Sequence, residues 1–193
     1  MTSTHRALLV VDVQPTFCEG GALGVDGGDA VAGAIADYLS AARGKYALVV
    51  TTQDWHVDPG GHFSETPDFV DTWPPHGIAG TPEAELHPAL EGIAVDARVK
   101  KGAYAAAYSG FEGRDDSGRT LGEILTAHQI TSVDVVGLAE SHCVKDTALD
   151  ALGAGLATRV LTDLTKPVSE ELGEAARAAL RDAGAELLPS DRA

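Results

Sequence analysis

Six short apolar segments recur along the chain and have the length and composition of β-strands. The segments at 47–52 and 131–138 are nearly continuous in apolar residues and do not alternate strictly with polar ones. This pattern is typical of strands that are buried on both faces of a parallel sheet. The predicted strands are 7–13, 47–52, 95–99, 131–138, 157–162 and 185–188.

Between these segments, apolar residues recur at helical spacing. Residues 29–43 carry Val31, Ile35 and Leu39 on one stripe and start at Asp29, a residue type that favours the N-cap. Strands that alternate with helices predict a single three-layer α/β/α domain over the whole chain, with a mostly parallel six-stranded sheet. The domain is predicted over 1–193 and its helices at 29–43, 119–129, 143–154 and 169–183, with a short helix near 81–86.

The segment from Gln53 to about Ala94 fits neither pattern. It is long for a connection inside a compact domain, and such connections are usually functional. Its candidate metal ligands are Asp54, His56, His62 and His76.

Reactive side chains follow the predicted strands directly. Asp12 ends the first strand, Lys100 and Lys101 follow the third, and Cys143 starts the helix after the fourth. Because ligands of open parallel sheets bind beyond the carboxyl ends of the strands, we expect these groups to meet in one crevice. Taken singly, the aspartate could cap a turn, the lysines could be a solvated strand end, and the cysteine could be a small buried side chain.

Together, Asp12, Lys101 and Cys143 are chemically sufficient for nucleophilic catalysis. A helix N-terminus and a nearby ammonium both favour the reactive thiolate, so we expect Cys143 to be activated. The carboxylate can take the thiol proton and return it to a leaving group. Backbone N–H groups of the same helix turn can stabilise an oxyanion.

The histidine-rich segment suits a divalent transition metal. Asp54 and His56 lie on one side of an extended chain, while His62 and His76 can fold back from the loop. Three imidazoles and one carboxylate suit Fe, Mn or Zn, with Ni or Co possible by loading. The other histidines considered are His87, a rival ligand, and His5 and His128, which are expected at the surface.

Composition narrows the partners and the compartment. With 29 acidic against 14 basic residues, the formal net charge of −15 repels nucleic acid and anionic membranes. The opening apolar run (ALLVV) is shorter than the apolar core of a signal peptide, so a cytoplasmic protein is expected. In a reducing compartment, Cys18 and Cys143 are not expected to form a disulfide.

Four stretches of the chain carry a resemblance to a known family. They read LLVVDVQPTFCEGGAL (8–23), TTQDWHVDPGGHFSETPDFVDTWPPHGIAGTPEAELHP (51–88), KKGAYAAAYSGFEG (100–113) and VVGLAESHCVKDTALDA (135–151). Together they resemble the nicotinamidase/pyrazinamidase branch of the isochorismatase-like cysteine hydrolases. The resemblance implies the isochorismatase-like fold. It also implies hydrolysis of nicotinamide to nicotinate and ammonia, and of pyrazinamide to pyrazinoate, through a thioester on Cys143.

The resemblance also implies residue roles. Asp12, Lys101 and Cys143 match the catalytic triad, and Lys101 is preferred over Lys100 because it directly precedes Gly102. The family's metal loop implies one divalent transition metal that takes the pyridine nitrogen and orients the carboxamide. The matching metal-loop positions are Asp54, His56, His62 and His76, and whether all four ligate at once stays open.

The implied substrate pocket involves further positions. Phe17 and Trp73 match aromatic residues that flank the pyridine ring, and Tyr104 and His142 match residues of the same pocket. The backbone N–H groups of Ala139 and Cys143 are expected to form the oxyanion hole, next to a cis peptide bond between Leu138 and Ala139. A small-molecule amide is the expected partner, and the expected assembly is a monomer or a small homo-oligomer.

Two departures from the family pattern flank the catalytic residues. Pro15 and Thr16 stand where the family often has Asn-Asp, and Glu140 and Ser141 stand where it often has Thr-Asp. They put substrate range and rate in question more than the type of reaction. Cys18 follows a family pattern and is expected to be a buried structural thiol.

Two rival functions stay open. One is a sibling hydrolase that acts on another small amide or on an isochorismate-like enol ether, although a metal loop suits a pyridine nitrogen better. The other is a non-catalytic α/β module that binds a metal or a ligand, although the intact triad argues against it. A thiol redox role is disfavoured because the chain has no C-x-x-C pair.

Overall fold

The structure of the protein is a computed structural model that describes residues 5–193. Met1–Thr4, which the prediction of a single domain includes, lie outside the described residues. Among the residues from His5 onward, no helix is both long and apolar enough to cross a membrane.

A six-stranded sheet forms the middle of the structure. Its strands are β1 (Arg6–Val11), β2 (Leu48–Asp54), β3 (Ala97–Lys101), β4 (Ser132–Leu138), β5 (Ala157–Lys166) and β6 (Glu186–Leu188). Their order is β3-β2-β1-β4-β5-β6, and every pair of neighbours is parallel. The predicted α/β fold class with a parallel sheet is confirmed.

Helices cover both faces of this sheet. They are α1 (Gly28–Ala42), α2 (Leu121–Ala127), α3 (Lys145–Gly153) and α4 (Glu170–Ala183). Leu8 and Val10 of β1 belong to the core cluster with α1, and Leu9 and Val11 belong to the cluster with α2, α3 and α4. Because successive strand residues point to opposite faces, a strand covered on both sides must be apolar throughout.

The ends of β3 and of α3 differ from the prediction for identifiable reasons. The predicted strand 95–99 begins and ends two residues later, because its pairing with β2 continues to the pair Asp54 and Lys101. The predicted helix 143–154 is two elements, a π-helical turn at Glu140–Val144 followed by α3. We call Glu140–Val144 the π-turn.

The helix caps agree with the sequence in one case and differ in others. For α4, Ser169, the first residue of the predicted helix 169–183, accepts a hydrogen bond from Leu172 N–H, and Gly184 ends the helix at φ 100°. For α1, Asp29 is not the N-cap, because Gly27 takes that place at φ 88°. The predicted helix 119–129 is confined to α2, since a capping box of Thr120 and Glu123 fixes its start. Near 81–86 only the 3-10 turn Pro82–Ala84 forms.

The strand order reverses at β1, which lies between β2 and β4. Within the sheet, β2 and β3 lie to one side of β1, and β4, β5 and β6 lie to the other. In such sheets a crevice opens beyond the carboxyl ends of the two strands at the reversal. Asp12 follows β1 and the π-turn follows β4, so both lie at this crevice.

We expect Leu161→Ala to lower the free energy of unfolding by about 2–5 kcal/mol, because Leu161 is fully buried between β5 and α1. Urea denaturation followed by circular dichroism measures the loss. Leu172→Ala is the matched control, since Leu172 on α4 is 45% exposed and its loss should stay within about 0.5 kcal/mol. Equal losses in the two variants would contradict this assignment of the core.

Candidate active site

A buried ammonium lies between two carboxylates at the carboxyl ends of the central strands. Lys101 ends β3 and pairs in register with Asp54 at the end of β2. Its Nζ forms an ion pair with Oδ1 of Asp54 and lies 2.9 Å from Oδ2 of Asp12. We call Asp12, Asp54 and Lys101 the carboxylate–ammonium cluster.

Strand alternation explains why Lys101 belongs to this cluster and Lys100 does not. Along β3, Val99 and Lys101 are buried while Lys100 is half-buried. Lys100 lies instead with its Nζ 4.0 Å from the centre of the Trp55 ring. The structure therefore places the predicted lysine, and not its neighbour, beside the carboxylates.

Asp12 is held by contacts with β2. Its Oδ1 accepts a hydrogen bond of 2.6 Å from the Thr52 hydroxyl, and its backbone N–H donates to Thr52 O at 3.2 Å. Its Oδ2 is ion-paired with the Lys101 ammonium and has no other partner among the described residues. This ion-paired oxygen is the one that can act as a proton acceptor.

Cys143 reaches the same cluster from the other side of the reversal. It lies in the π-turn, and its Sγ accepts a contact of 3.7 Å from Nζ of Lys101. Its side chain is buried and also borders a cavity. The three residues predicted as a triad, Asp12, Lys101 and Cys143, are therefore brought together.

Burial and neighbouring charges set the protonation states of this cluster. Burial opposes the charge on Lys101, but Asp12 and Asp54 outweigh it and hold the pKa of Lys101 well above its ordinary value. Burial also opposes the charge on Asp54, but the ammonium together with His56 and His76 outweighs burial, and the pKa of Asp54 is well below its ordinary value. Burial raises the pKa of Asp12, only partly countered by the ammonium.

The same balance keeps Cys143 protonated in the free site. Burial raises the pKa of Cys143 well above its ordinary value, because Asp12 and Asp54 oppose the effect of the Lys101 ammonium. The sequence-based expectation of a ready thiolate is therefore wrong for the free site. A thiol beside a carboxylate of raised pKa can instead pass its proton to that carboxylate during the reaction.

Three imidazoles form a second cluster next to the first. One ring nitrogen from each of His56, His62 and His76 lies within 4.8 Å of the others, and all three side chains are buried. Oδ2 of Asp54 lies 3.5 Å from His56 Nε2 and 3.6 Å from His76 Nε2. We call His56, His62 and His76 the imidazole cluster.

The hydrogen bonds of this cluster turn lone pairs inward. His56 Nδ1 lies 2.6 Å from Gly102 O, and His76 Nδ1 lies 2.8 Å from Pro74 O. Because a carbonyl oxygen only accepts, each Nδ1 carries the hydrogen in the neutral ring, and each Nε2 presents a lone pair.

Two ring nitrogens of this cluster have no hydrogen-bond partner among the described residues. They are His56 Nε2 and His62 Nδ1, and both are buried. Burial, with the neighbouring imidazoles, lowers the pKa of His62 to about 4, so that ring is neutral. Converging lone pairs beside the carboxylate of Asp54 fit a divalent transition-metal cation.

A cavity of about 310 Å³ opens beside the nucleophile. It is lined by aromatic and apolar side chains together with members of the imidazole cluster. The predicted residues that line it are Phe17, Asp54, His62, Trp73, His76, Ala139, His142 and Cys143. The predicted cis peptide bond between Leu138 and Ala139 is present.

Tyr104 does not belong to this cavity, contrary to the prediction. Its side chain is 75% exposed, and Tyr108 supplies the tyrosine that lines the cavity. Tyr108 is placed by Trp73, whose Nε1–H donates to the tyrosine hydroxyl at 2.9 Å. The sequence offered both tyrosines in the stretch AYAAAYS, and no periodicity there distinguishes them.

The remaining cysteine and the rival histidine lie in a separate group. His87 Nε2 lies 3.0 Å from Oδ1 of Asp29, and Cys18 is buried next to them. Burial, with Asp29 and Glu19, raises the pKa of Cys18 to about 12, in line with the expected buried thiol. His87 Nδ1 accepts from Ala89 N–H, so its Nε2 carries the hydrogen and no lone pair is left for a metal.

The chain is similar to known proteins over nearly its whole length. The isochorismatase domain matches residues 6–192. The nicotinamidase/pyrazinamidase of Mycobacterium tuberculosis is 54% identical over 96% of this chain and 99% of its own length.

Solved structures are similar over the same extent. A pyrazinamidase of Pyrococcus horikoshii in complex with zinc is 35% identical, with a TM-score of 0.83 over 96% of this chain and 99% of its own. PnC1 from L. infantum in complex with nicotinate is 33% identical, with a TM-score of 0.84 over 99% of this chain and 96% of its own.

We expect Gly102→Ala to weaken binding of zinc to chelator-treated protein by about ten- to a hundredfold, as is usual when the support of a metal ligand is lost. A Cβ at Gly102 would lie 2.5 Å from His56 Cε1 and 2.7 Å from its Nδ1. Competition with a chromophoric chelator measures the affinity.

Gly118→Ala is the matched control for backbone strain. Gly118 has φ +86°, close to the +76° of Gly102, but a Cβ there would meet no atom within 4 Å. It should lose stability without losing zinc affinity. Equal zinc affinities for the two variants would show that Gly102 has no part in holding His56.

Proposed function

The chain belongs to the isochorismatase family, and we propose that within it the protein is a cysteine amide hydrolase that converts nicotinamide to nicotinate and ammonia. The observation that carries this proposal is the convergence of Cys143, Asp12 and Lys101 beside an aromatic-lined cavity that also borders two members of the imidazole cluster. Pyrazinamide, which differs by one ring nitrogen, is proposed as a second substrate. The similarity to the Mycobacterium tuberculosis nicotinamidase/pyrazinamidase supports both substrates.

In the first half of the reaction, Cys143 Sγ attacks the carboxamide carbon. The thiol proton passes to Oδ2 of Asp12, which is ion-paired with Lys101 in the free site, and the raised pKa of Asp12 suits a temporary proton carrier. The C–N bond then breaks, and Asp12 returns the proton to the nitrogen, which leaves as ammonia. The product on the enzyme is a thioester of Cys143.

In the second half, water replaces ammonia. Asp12 takes a proton from the water, the oxygen attacks the thioester carbon, and the C–S bond breaks. The proton returns to Cys143, and nicotinate is released. Lys101 keeps its charge throughout, and we assign it the stabilisation of the Asp12 carboxylate and of the sulfur as charge develops there.

Backbone and aromatic groups are assigned supporting roles. The N–H groups of Ala139 and Cys143 are proposed to bind the developing oxyanion. Phe17 and Trp73 are proposed to flank the ring, with Tyr108 in the place first assigned to Tyr104.

A divalent cation is proposed as the cofactor, held by His56, His62, His76 and Asp54. When bound, it supplies an electrophile that accepts the ring nitrogen of the substrate and fixes the orientation of the ring. The zinc in the complex of the Pyrococcus horikoshii pyrazinamidase supports a metal of this type, with Fe and Mn as the other candidates. The reaction would place the protein in NAD salvage in the cytoplasm.

The test of the reaction is ammonia release from nicotinamide by purified protein. We expect Cys143→Ala to abolish turnover, because no other residue that lines the cavity in the described structure supplies a thiol, and Cys18→Ala to retain it once folding is verified by thermal denaturation. Mass spectrometry of acid-quenched enzyme should show a nicotinoyl adduct on the wild type and on Cys18→Ala, but not on Cys143→Ala. Turnover by the Cys143→Ala variant, or ammonia release only from a carbamoyl amine, would reject the proposal.

The cofactor is tested by stripping the metal and reloading with Fe, Mn and Zn separately. At least one cation should restore ammonia release, while His56→Ala should bind that cation more weakly at equilibrium. If none of the three restores any activity to protein that remains folded, the proposed substrate is wrong.

A further inference from the structure

The side chain of Ser141 in the π-turn makes two polar contacts. Its Oγ accepts a hydrogen bond of 3.2 Å from the backbone N–H of Val168, and it lies 2.9 Å from Nδ1 of His142. The side chain of Ser141 is 5% exposed, so water does not readily satisfy it. Ser141 therefore links the cavity-lining His142 to the segment that connects β5 to α4.

The donor at each contact follows from this burial. The Val168 amide can only donate, so the serine oxygen accepts there. If His142 Nδ1–H also donated to Ser141, the serine hydroxyl hydrogen would be buried with no acceptor among the described residues, at a cost of about 1–3 kcal/mol. The arrangement that satisfies every group has the Ser141 hydroxyl donating to His142 Nδ1.

This assignment fixes the other nitrogen of the ring. A neutral imidazole carries one hydrogen, so an accepting Nδ1 leaves the hydrogen on Nε2. His142 Nε2 has no partner among the described residues, and the ring lines the cavity next to Trp73, with their centroids 5.6 Å apart. Nothing in the chain competes for the Nε2–H group.

We propose that Ser141 is a positioning residue that locks His142 as a neutral Nε2–H donor, aimed at an acceptor atom of the substrate carboxamide. His142 then contacts the substrate, while Ser141 acts through it. His142 and the nucleophile Cys143 line the same cavity, so the His142 ring can reach a carboxamide that is bound there. This role rests on the proposed amide hydrolysis, but the tautomer itself does not.

Glu140, the residue before Ser141, also anchors the π-turn. Glu140, also buried, accepts hydrogen bonds from the Thr165 hydroxyl and from Arg177 on α4, both at 2.8 Å. Both residues that depart from the family pattern thus tie the π-turn to the β5–α4 side of the structure. Of the two, only Ser141 contacts the ring that lines the cavity.

The tautomer is tested by 15N NMR on protein labelled at histidine, with His142 assigned by its loss in His142→Gln. In the wild type we expect a protonated Nε2 and an unprotonated, hydrogen-bonded Nδ1. Ser141→Ala should give a mixture of tautomers, whereas Ser141→Thr should restore the wild-type spectrum. Ser40→Ala is the matched control, because Ser40 is an exposed residue of α1 whose hydroxyl donates only to Ala36 O.

The donor role is tested with two amide side chains in place of His142, each of which puts an NH2 group where one of the ring nitrogens lies. The side-chain NH2 of glutamine can take the place of Nε2–H, whereas asparagine reaches only the place of Nδ1. We expect kcat/KM for nicotinamide to be about three- to tenfold higher for His142→Gln than for His142→Asn, and to fall about three- to tenfold in Ser141→Ala.

The outcomes separate this inference from the proposed function. A wild-type His142 protonated at Nδ1, or a Ser141→Ala spectrum like the wild type, would overturn the inference whatever the enzyme turns over. Equal kcat/KM for the glutamine and asparagine variants would overturn the donor role. Absence of ammonia release by the wild type would reject the proposed function and leave the tautomer assignment standing.

Discussion

The structure of the site depends on one buried ion cluster, in which the Lys101 ammonium lies between Asp12 and Asp54. A buried charge is strongly destabilising unless it is paired, and removing one partner of such a pair typically costs about 3–5 kcal/mol. Each partner comes from the end of a different strand, so the cluster forms only when the carboxyl ends of β1, β2 and β3 lie side by side. The site and the central sheet therefore depend on each other.

Asp54 connects the two halves of the site because its two oxygens face different groups. Oδ1 pairs with the Lys101 ammonium, and Oδ2 faces His56 and His76. A change in charge within the imidazole cluster thus alters the electrostatic potential at the ammonium, and in turn the proton affinities of Asp12 and Cys143. The proton affinity of the nucleophile is set by the whole group of side chains, so no single pairwise contact explains it.

Sequence patterns predicted the layers, and most of the predicted site residues lie together in the structure, but not every local geometry was predictable. The apolar strands and the Ser169 cap were predictable because short-range periodicity and capping chemistry determine them. The end of β3, the π-turn and the choice between Tyr104 and Tyr108 were not, since each depends on contacts with distant segments. The protonated state of Cys143 was missed for the same reason, because it depends on two carboxylates that only the fold brings close.

The two adjacent lysines have a consequence for how the edge strand β3 finds its partner. A slip of one residue along β2 would exchange Lys100 for Lys101 opposite Asp54, and so would still supply an amine to the carboxylates. The same slip would move the exposed Arg98 into the buried place of Val99. Discrimination between the two alignments therefore falls to the apolar place of Val99 and to the place of Gly102 beside His56, which leaves no room for the Cβ that Lys101 would bring there. The charged residues at the site contribute little to it.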